Sequence, residues 1–153
     1  MGFCNVTRIH PAHTSSPRRG RGCQVPMESL DRLVERRGLG GRRVSFIKLD
    51  IEGFEGRALR GSLKTIRRFK PLLLVEMQEL ASQRAGSSTS ELWSFIENLG
   101  YSFYLYVPES SSWLPIEQPN GASPNYLAVP RDLPTGTAEA LGLGTPRRTD
   151  TRR

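Results

Sequence analysis

Histidine is nearly absent from this 153-residue chain: His10 and His13 are the only two, both near the amino terminus. Chemistry carried out beyond residue 22 therefore has no imidazole, and a base there must come from another side chain. Cysteine is equally scarce. Cys4 and Cys23 bracket the two histidines in a Cys-x5-His-x2-His-x9-Cys spacing, and all four are zinc-ligand types. The spacing matches no common zinc module and the segment is rich in Ser, Pro and Arg, so no metal site is assigned. Two cysteines make no disulfide framework, which fits a reducing, cytoplasmic setting. No apolar run approaches the roughly 20 residues that span a bilayer. The amino terminus also lacks the apolar core of about 7–15 residues that a secretory leader uses.

Positive charge is scarce in one stretch only. Residues 71–130 carry Arg84 against Glu76, Glu79, Glu91, Glu97, Glu109 and Glu117, a balance of −5 within a total of +7. Residues 1–22 carry +4, residues 23–70 carry +6 and residues 131–153 carry +2. The basic ends show no helical or strand period and read as disordered tails over 1–22 and 131–153. The organised region is expected at 23–130.

Within that region the periods alternate. Cys23–Val25 reads as a short strand, and Met27, Leu30, Leu33 and Val34 recur at helical spacing before Gly38. "RVSFIKLDI", residues 43–51, is almost continuously apolar, as in a strand covered on both faces. From Gly53 to Pro71 the stripe Phe54, Ala58, Leu59, Leu63, Ile66 and Phe69 predicts one helix. "PLLLVEM" (71–77) is a second strand. Ser88 and Glu91 open a further helix that Gly100 stops. "YSFYLYV" (101–107) and "NYLAVP" (125–130) are strands, with a Pro/Gly/Ser-rich loop between them. Two strand–helix–strand units followed by a loop imply an α/β chain with a mostly parallel sheet and an antiparallel end.

Ligands in open parallel sheets bind outside the carboxyl ends of the strands. Asp50 and Glu76 close two consecutive strands and are expected to line one crevice, with Glu52 and Glu55 in the first turn of the following helix. Gly53 and Gly56 let the backbone turn tightly there. Asp50, Glu52 and Glu76 are the candidate catalytic residues.

The stretch "FIKLDIEGFEGRALRGSLKTIRRFKPLLLVEM" resembles the signature of FkbM-type S-adenosylmethionine-dependent methyltransferases. Lys48, Asp50, Glu52, Gly53, Glu55, Leu59, Gly61, Pro71 and Glu76 stand at matching positions, "SLD" at Ser29–Asp31 is similar to a second family element, and "NYLAVP" to the closing strand. The resemblance runs over about residues 23–130. It implies a partial Rossmann-like (class I methyltransferase) fold and methyl transfer from S-adenosylmethionine to an oxygen of a small-molecule or glycan hydroxyl acceptor. Asp50 would contact the acceptor, act as base or coordinate a metal, with Glu52 and Glu76 supporting it.

Such a domain opens with a strand, a glycine-rich turn and a helix that cradle the cofactor. None precedes Cys23, so the expectation is a domain whose amino-terminal half is missing. It follows that 43–51 should be an open strand edge able to self-associate. Two rival readings stand beside this one: an inactive remnant kept as an interaction module, and a basic nucleic-acid-binding protein. The second lacks any aromatic–basic interleaving and has an acidic second half.

Overall fold

The computed structural model describes residues 27–38, 42–121, 124–134 and 136–144. The Cys4, His10, His13 and Cys23 quartet and the expected Cys23–Val25 strand lie outside the described residues. The elements run α1 (Leu30–Arg37), β1 (Phe46–Leu49), α2 (Glu55–Arg60), α3 (Leu63–Phe69), β2 (Leu72–Glu76), α4 (Glu79–Arg84), α5 (Thr89–Asn98), β3 (Tyr101–Val107), β4 (Ser112–Ile116), β5 (Asn125–Pro130) and α6 (Thr137–Ala140). No helix among the described residues is long and apolar enough to cross a membrane.

The five strands form one sheet in the order β1-β2-β5-β3-β4. Only β1–β2 is a parallel pair; β2–β5, β5–β3 and β3–β4 are antiparallel. The expected mostly parallel sheet is therefore mixed. The strand β3 does run in the same direction as β1 and β2, as two crossovers require, but β5 inserts between β2 and β3. The loop ahead of β5 also contains a strand that sequence reasoning missed. In β4, Pro115 and three serines just upstream hide an edge strand, where a missing backbone N–H costs no ladder bond on the outer side.

Strand β1 sits at the sheet edge and, among the described residues, pairs with β2 alone. Its side chains alternate exposed and buried rather than being covered on both faces. Ile47 and Leu49 point into the core; Phe46 and Lys48 point out. The same alternation crosses the sheet, so Leu73, Val75, Phe103, Tyr126 and Ala128 share the core face. Leu59 from α2, Ile66 from α3, and Leu92, Trp93 and Ile96 from α5 complete the core. Trp93 stacks on Phe103 at 3.6 Å between ring centroids and meets Tyr126 edge-on at 5.6 Å. These rings anchor α5 over β3 and β5.

The single helix expected over 53–70 is two helices, broken at Gly61 and Ser62. Two contacts made by the Ser29–Asp31 element explain the break. A β-carbon on Gly61 would lie 3.1 Å from the Ser29 Cβ, so α1 packs directly on that backbone. Asp31 then takes over the start of α3. Its carboxylate accepts from the Lys64 amide at 3.0 Å, the Thr65 amide at 2.8 Å and the Thr65 hydroxyl at 2.7 Å. Ser62, the local cap residue by position, instead donates its hydroxyl to the Ala58 carbonyl at 2.6 Å. Ser29 caps its own helix by accepting from the Arg32 amide at 3.3 Å.

Helix α4 was not legible in the sequence. The carboxyl-terminal stretch also departs from the expected tail: after Pro130 the chain forms α6, and residues 142–144 bond along β4, with Trp113 N donating to Gly142 O at 3.2 Å. The tail reading over 131–153 is corrected at these positions, because the exposed edge of β4 offers backbone partners that periodicity does not reveal.

Partial burial pushes the Asp31 carboxyl up, but the Thr65 hydroxyl, the Thr65 and Lys64 amides and the Lys64 charge together hold it below the ordinary aspartate range. A lowered carboxylate contributes stability that is fully present above its unfolded value and lost as pH falls through its folded one. Asp31→Ala is expected to destabilise the chain by about 1–2 kcal/mol, the scale of a lost helix cap. Urea melts across pH check this: the variant should show a flatter loss of stability at acid pH than the parent chain.

Candidate functional site

The register that pairs Leu49 with Val75 continues one step to set Asp50 beside Glu76, at the carboxyl ends of β1 and β2. The two side chains hydrogen-bond to each other. Two carboxyls in that contact disfavour each other's ionisation. Burial pushes the Glu76 carboxyl up, as does its hydrogen bond to Asp50; the Gln78 amide, donating at 2.8 Å, opposes this, and the charges of Asp50 and Glu52 add to the rise. Lys48 reaches Asp50 Oδ2 at 3.1 Å. That ion pair is partly exposed, with 54% and 33% of the side chains accessible, and contributes about 0–1 kcal/mol. Asn125, the first residue of β5, stands directly across from Glu76.

The loop from Asp50 to Glu55 is held by its own residues. Glu52 and Gly53 both take positive φ, 57° and 95°. A non-glycine residue in that region costs roughly 1 kcal/mol and persists only where the surroundings fix it. Here the fixing comes from Glu55 and from α4. Glu55 is buried, and its Oε1 accepts from the Ile51 amide at 2.9 Å. It is therefore a brace for the loop rather than a group facing a ligand. A β-carbon on Gly53 would lie 2.2 Å from the Ala81 carbonyl oxygen, so the glycine is where α4 packs against the loop.

Of the residues expected to line one crevice, Asp50 and Glu76 meet side by side, and Glu52 lies close enough to act on Glu76 electrostatically. Among the described residues no group of three or more His, Cys, Asp or Glu is arranged to hold a metal ion. Gln78 and Asn125 were missed. Gln78 carried a readable signal, since residues two apart on or just past a strand share a face. Asn125 carried none until β5 was known to lie against β2.

A cavity of about 310 Å³ lies at the other end of the sheet, between Ile66, Lys70, Tyr101, Pro130, Arg131 and Asp132. Three of its ionic groups are engaged, Lys70 with Asp132 and Arg131 Nε with the Ser102 hydroxyl at 3.4 Å, while Arg67 also lines it. The Tyr101 hydroxyl donates to the Pro71 carbonyl at 3.0 Å. These contacts close the junctions of α3 with β2 and of α5 with β3, so the carboxylate end remains the candidate site.

A family model described as the methyltransferase FkbM domain matches residues 3–103. The match begins at residue 3 rather than 23 and ends at 103 rather than 130, so most of the segment read as a basic tail lies inside it. No curated protein and no solved structure matches the chain.

Two substitutions check this geometry. Gly53→Ala forces a β-carbon into the Ala81 carbonyl at a left-handed position; the expected cost is about 3 kcal/mol or more, read as a lowered denaturant midpoint. Glu76→Gln keeps shape while removing charge. A raised carboxyl contributes stability that is present below its unfolded value and lost as pH rises through the folded one. The variant should therefore be more stable than the parent at neutral pH, and the difference should vanish on acidification. A destabilised variant at neutral pH would contradict the repulsion inferred here.

Proposed function

The chain belongs to the methyltransferase FkbM domain family, and from that premise we propose that it acts in methyl transfer from S-adenosylmethionine to an acceptor hydroxyl. The observation that carries this reading is the Asp50–Glu76 pair at the carboxyl ends of two adjacent parallel strands. A Rossmann-like, class I arrangement is supported by the β1–α–β2 crossover and by the antiparallel β5 beside β2, although the sheet as described is mixed.

The cofactor supplies an electrophilic methyl group when bound. Among the described residues only α1 precedes β1, and no glycine-rich strand–turn–helix does so. The one left-handed glycine in the Asp50–Glu55 loop is filled by Ala81. The described residues therefore do not fit as a cofactor cradle, and no step is assigned through it. Their part is the acceptor side. In this reading Asp50, paired with Lys48, accepts the hydroxyl proton, and Glu76 beside it tunes that carboxylate. Glu52 adds negative charge, which keeps the pair basic.

The closed Gly53 turn favours one rival, an inactive domain of the same family. Calorimetry with S-adenosylmethionine and a radiolabelled methyl-transfer assay on the intact chain separate the two. For an active protein, Asp50→Asn is expected to lower turnover by about 100-fold or more, the scale of a lost general base, while cofactor affinity stays near that of the parent. Equal losses in both would make Asp50 a structural residue. No cofactor binding to the intact chain would favour the inactive domain.

A further inference from the structure

The cavity at the sheet end opposite Asp50 and Glu76 joins the carboxyl ends of α3 and α5 to the chain leaving β5. Ile66, Leu99 and Pro130 give it an apolar wall. Three cations, Arg67, Lys70 and Arg131, stand there against one acid, Asp132, a balance of +2. The Arg67 side chain makes no hydrogen bond or ion pair among the described residues. Lys70 ends α3 with φ 46°, the left-handed position that glycine or asparagine ordinarily takes. A lysine there carries a conformational cost that a glycine would not, and it brings a charge to the cavity. Its ammonium pairs with Asp132, but both side chains are more than half exposed, 52% and 59%, so water competes for that contact. Arg131 is anchored by its amide, which donates to the Gly100 carbonyl at 2.9 Å, and by Nε on Ser102. Neither bond uses the outer fork of its guanidinium.

We propose that this cavity binds a compact phosphomonoester with an apolar body, its phosphate met by Arg67, Lys70 and Arg131 and its body by Ile66, Leu99 and Pro130. A phosphomonoester carries about −1.5 to −2 at neutral pH, which matches the surplus of +2. Guanidinium forks meet phosphate oxygens in pairs, and a lysine serves as a point charge beside them. The volume of about 310 Å³ is at the small end of ligand pockets, which run to roughly 1,000 Å³, so it takes one ring or a short chain and not a polymer. A hydrocarbon alone would leave the cations desolvated without partners. Lys70 and Glu76 lie at opposite ends of β2, about 20 Å apart for six residues of extended chain. A ligand of this size cannot reach the Asp50–Glu76 pair, so the site is separate from the chemistry proposed above and does not depend on it.

Cations at a helix carboxyl end also answer its dipole, so the test must separate that role from binding. Calorimetry on the intact 153-residue chain uses phenyl phosphate as the probe, with inorganic phosphate, benzoate and benzyl alcohol as comparators. Phenyl phosphate is expected to bind, and each comparator to bind at least roughly tenfold more weakly. Arg67→Ala should weaken phenyl phosphate roughly tenfold, the scale of a lost hydrogen bond to a charged group. Lys70→Gly removes a charge while putting glycine at the left-handed position. It should weaken binding by a similar factor yet leave the denaturant midpoint at or above that of the parent. A lowered midpoint with unchanged binding would make Lys70 a structural residue and overturn its part here. No binding of phenyl phosphate overturns the proposal, as does binding that persists in both variants, which would place the anion on the arginine-rich ends instead. Equal affinity for any comparator does so too: inorganic phosphate would leave the apolar wall without a part, benzoate the second negative charge, and benzyl alcohol the cations.

Discussion

The parallel register of β1 on β2 is the constraint from which most of this molecule follows. By setting Leu49 against Val75 it sends Ile47, Leu49, Leu73 and Val75 to one face, where they meet Leu59, Ile66 and the ring of Trp93. The next step of the same register brings two acids together. A slip of one residue would turn the whole apolar set of β1 outward, so burial of the core and proximity of Asp50 to Glu76 cannot be changed independently. Core packing thus holds in place a pair of groups that repel one another. The repulsion is eased by Gln78 and by Lys48.

The helical layer depends on a second device, the Ser29–Asp31 element. Its two polar residues serve different helices, Ser29 the start of α1 and Asp31 the start of α3. Leu30 between them packs against the core cluster. An element that resemblance alone marks as characteristic of the family has a mechanical role here, far from the carboxylate pair. Asp31 and Glu55 show that an acid in a signature need not be a reacting group. One caps a helix in space, and the other braces a loop from a buried position.

Much of this was legible in the chain of letters. The β1–β2 crossover, the strands β3 and β5, the Ser88 cap and the meeting of Asp50 with Glu76 all rest on local periodicity or on strand-end position, which the sequence carries directly. What escaped rests on partners distant in sequence. The break at Gly61 requires knowing that Ser29 packs there. Strand β4 is concealed by Pro115, which is tolerated at an edge. The position of Asn125 across from Glu76 emerges only when β5 is placed beside β2. The brace formed by Glu55 was not legible either, because a carboxylate at the start of a helix reads the same whether it points outward or reaches back to Ile51.

The Asp31 clasp also limits how the polypeptide can be divided. The hydrogen bonds from Thr65 join positions 34 residues apart, and all of β1 and α2 lies inside the loop they close. A shortened chain starting at Arg32 would keep all five strands and the Asp50–Glu76 pair. It would nonetheless leave the first turn of α3 with unanswered amides and remove Ser29 from the backbone of Gly61. The smallest piece that can stand as a unit is therefore set by a helix cap at its edge and not by the sheet at its centre. A new pair of ends is better opened at the β3–β4 turn, Pro108–Ser110, whose side chains are exposed and whose hydrogen bonds stay local.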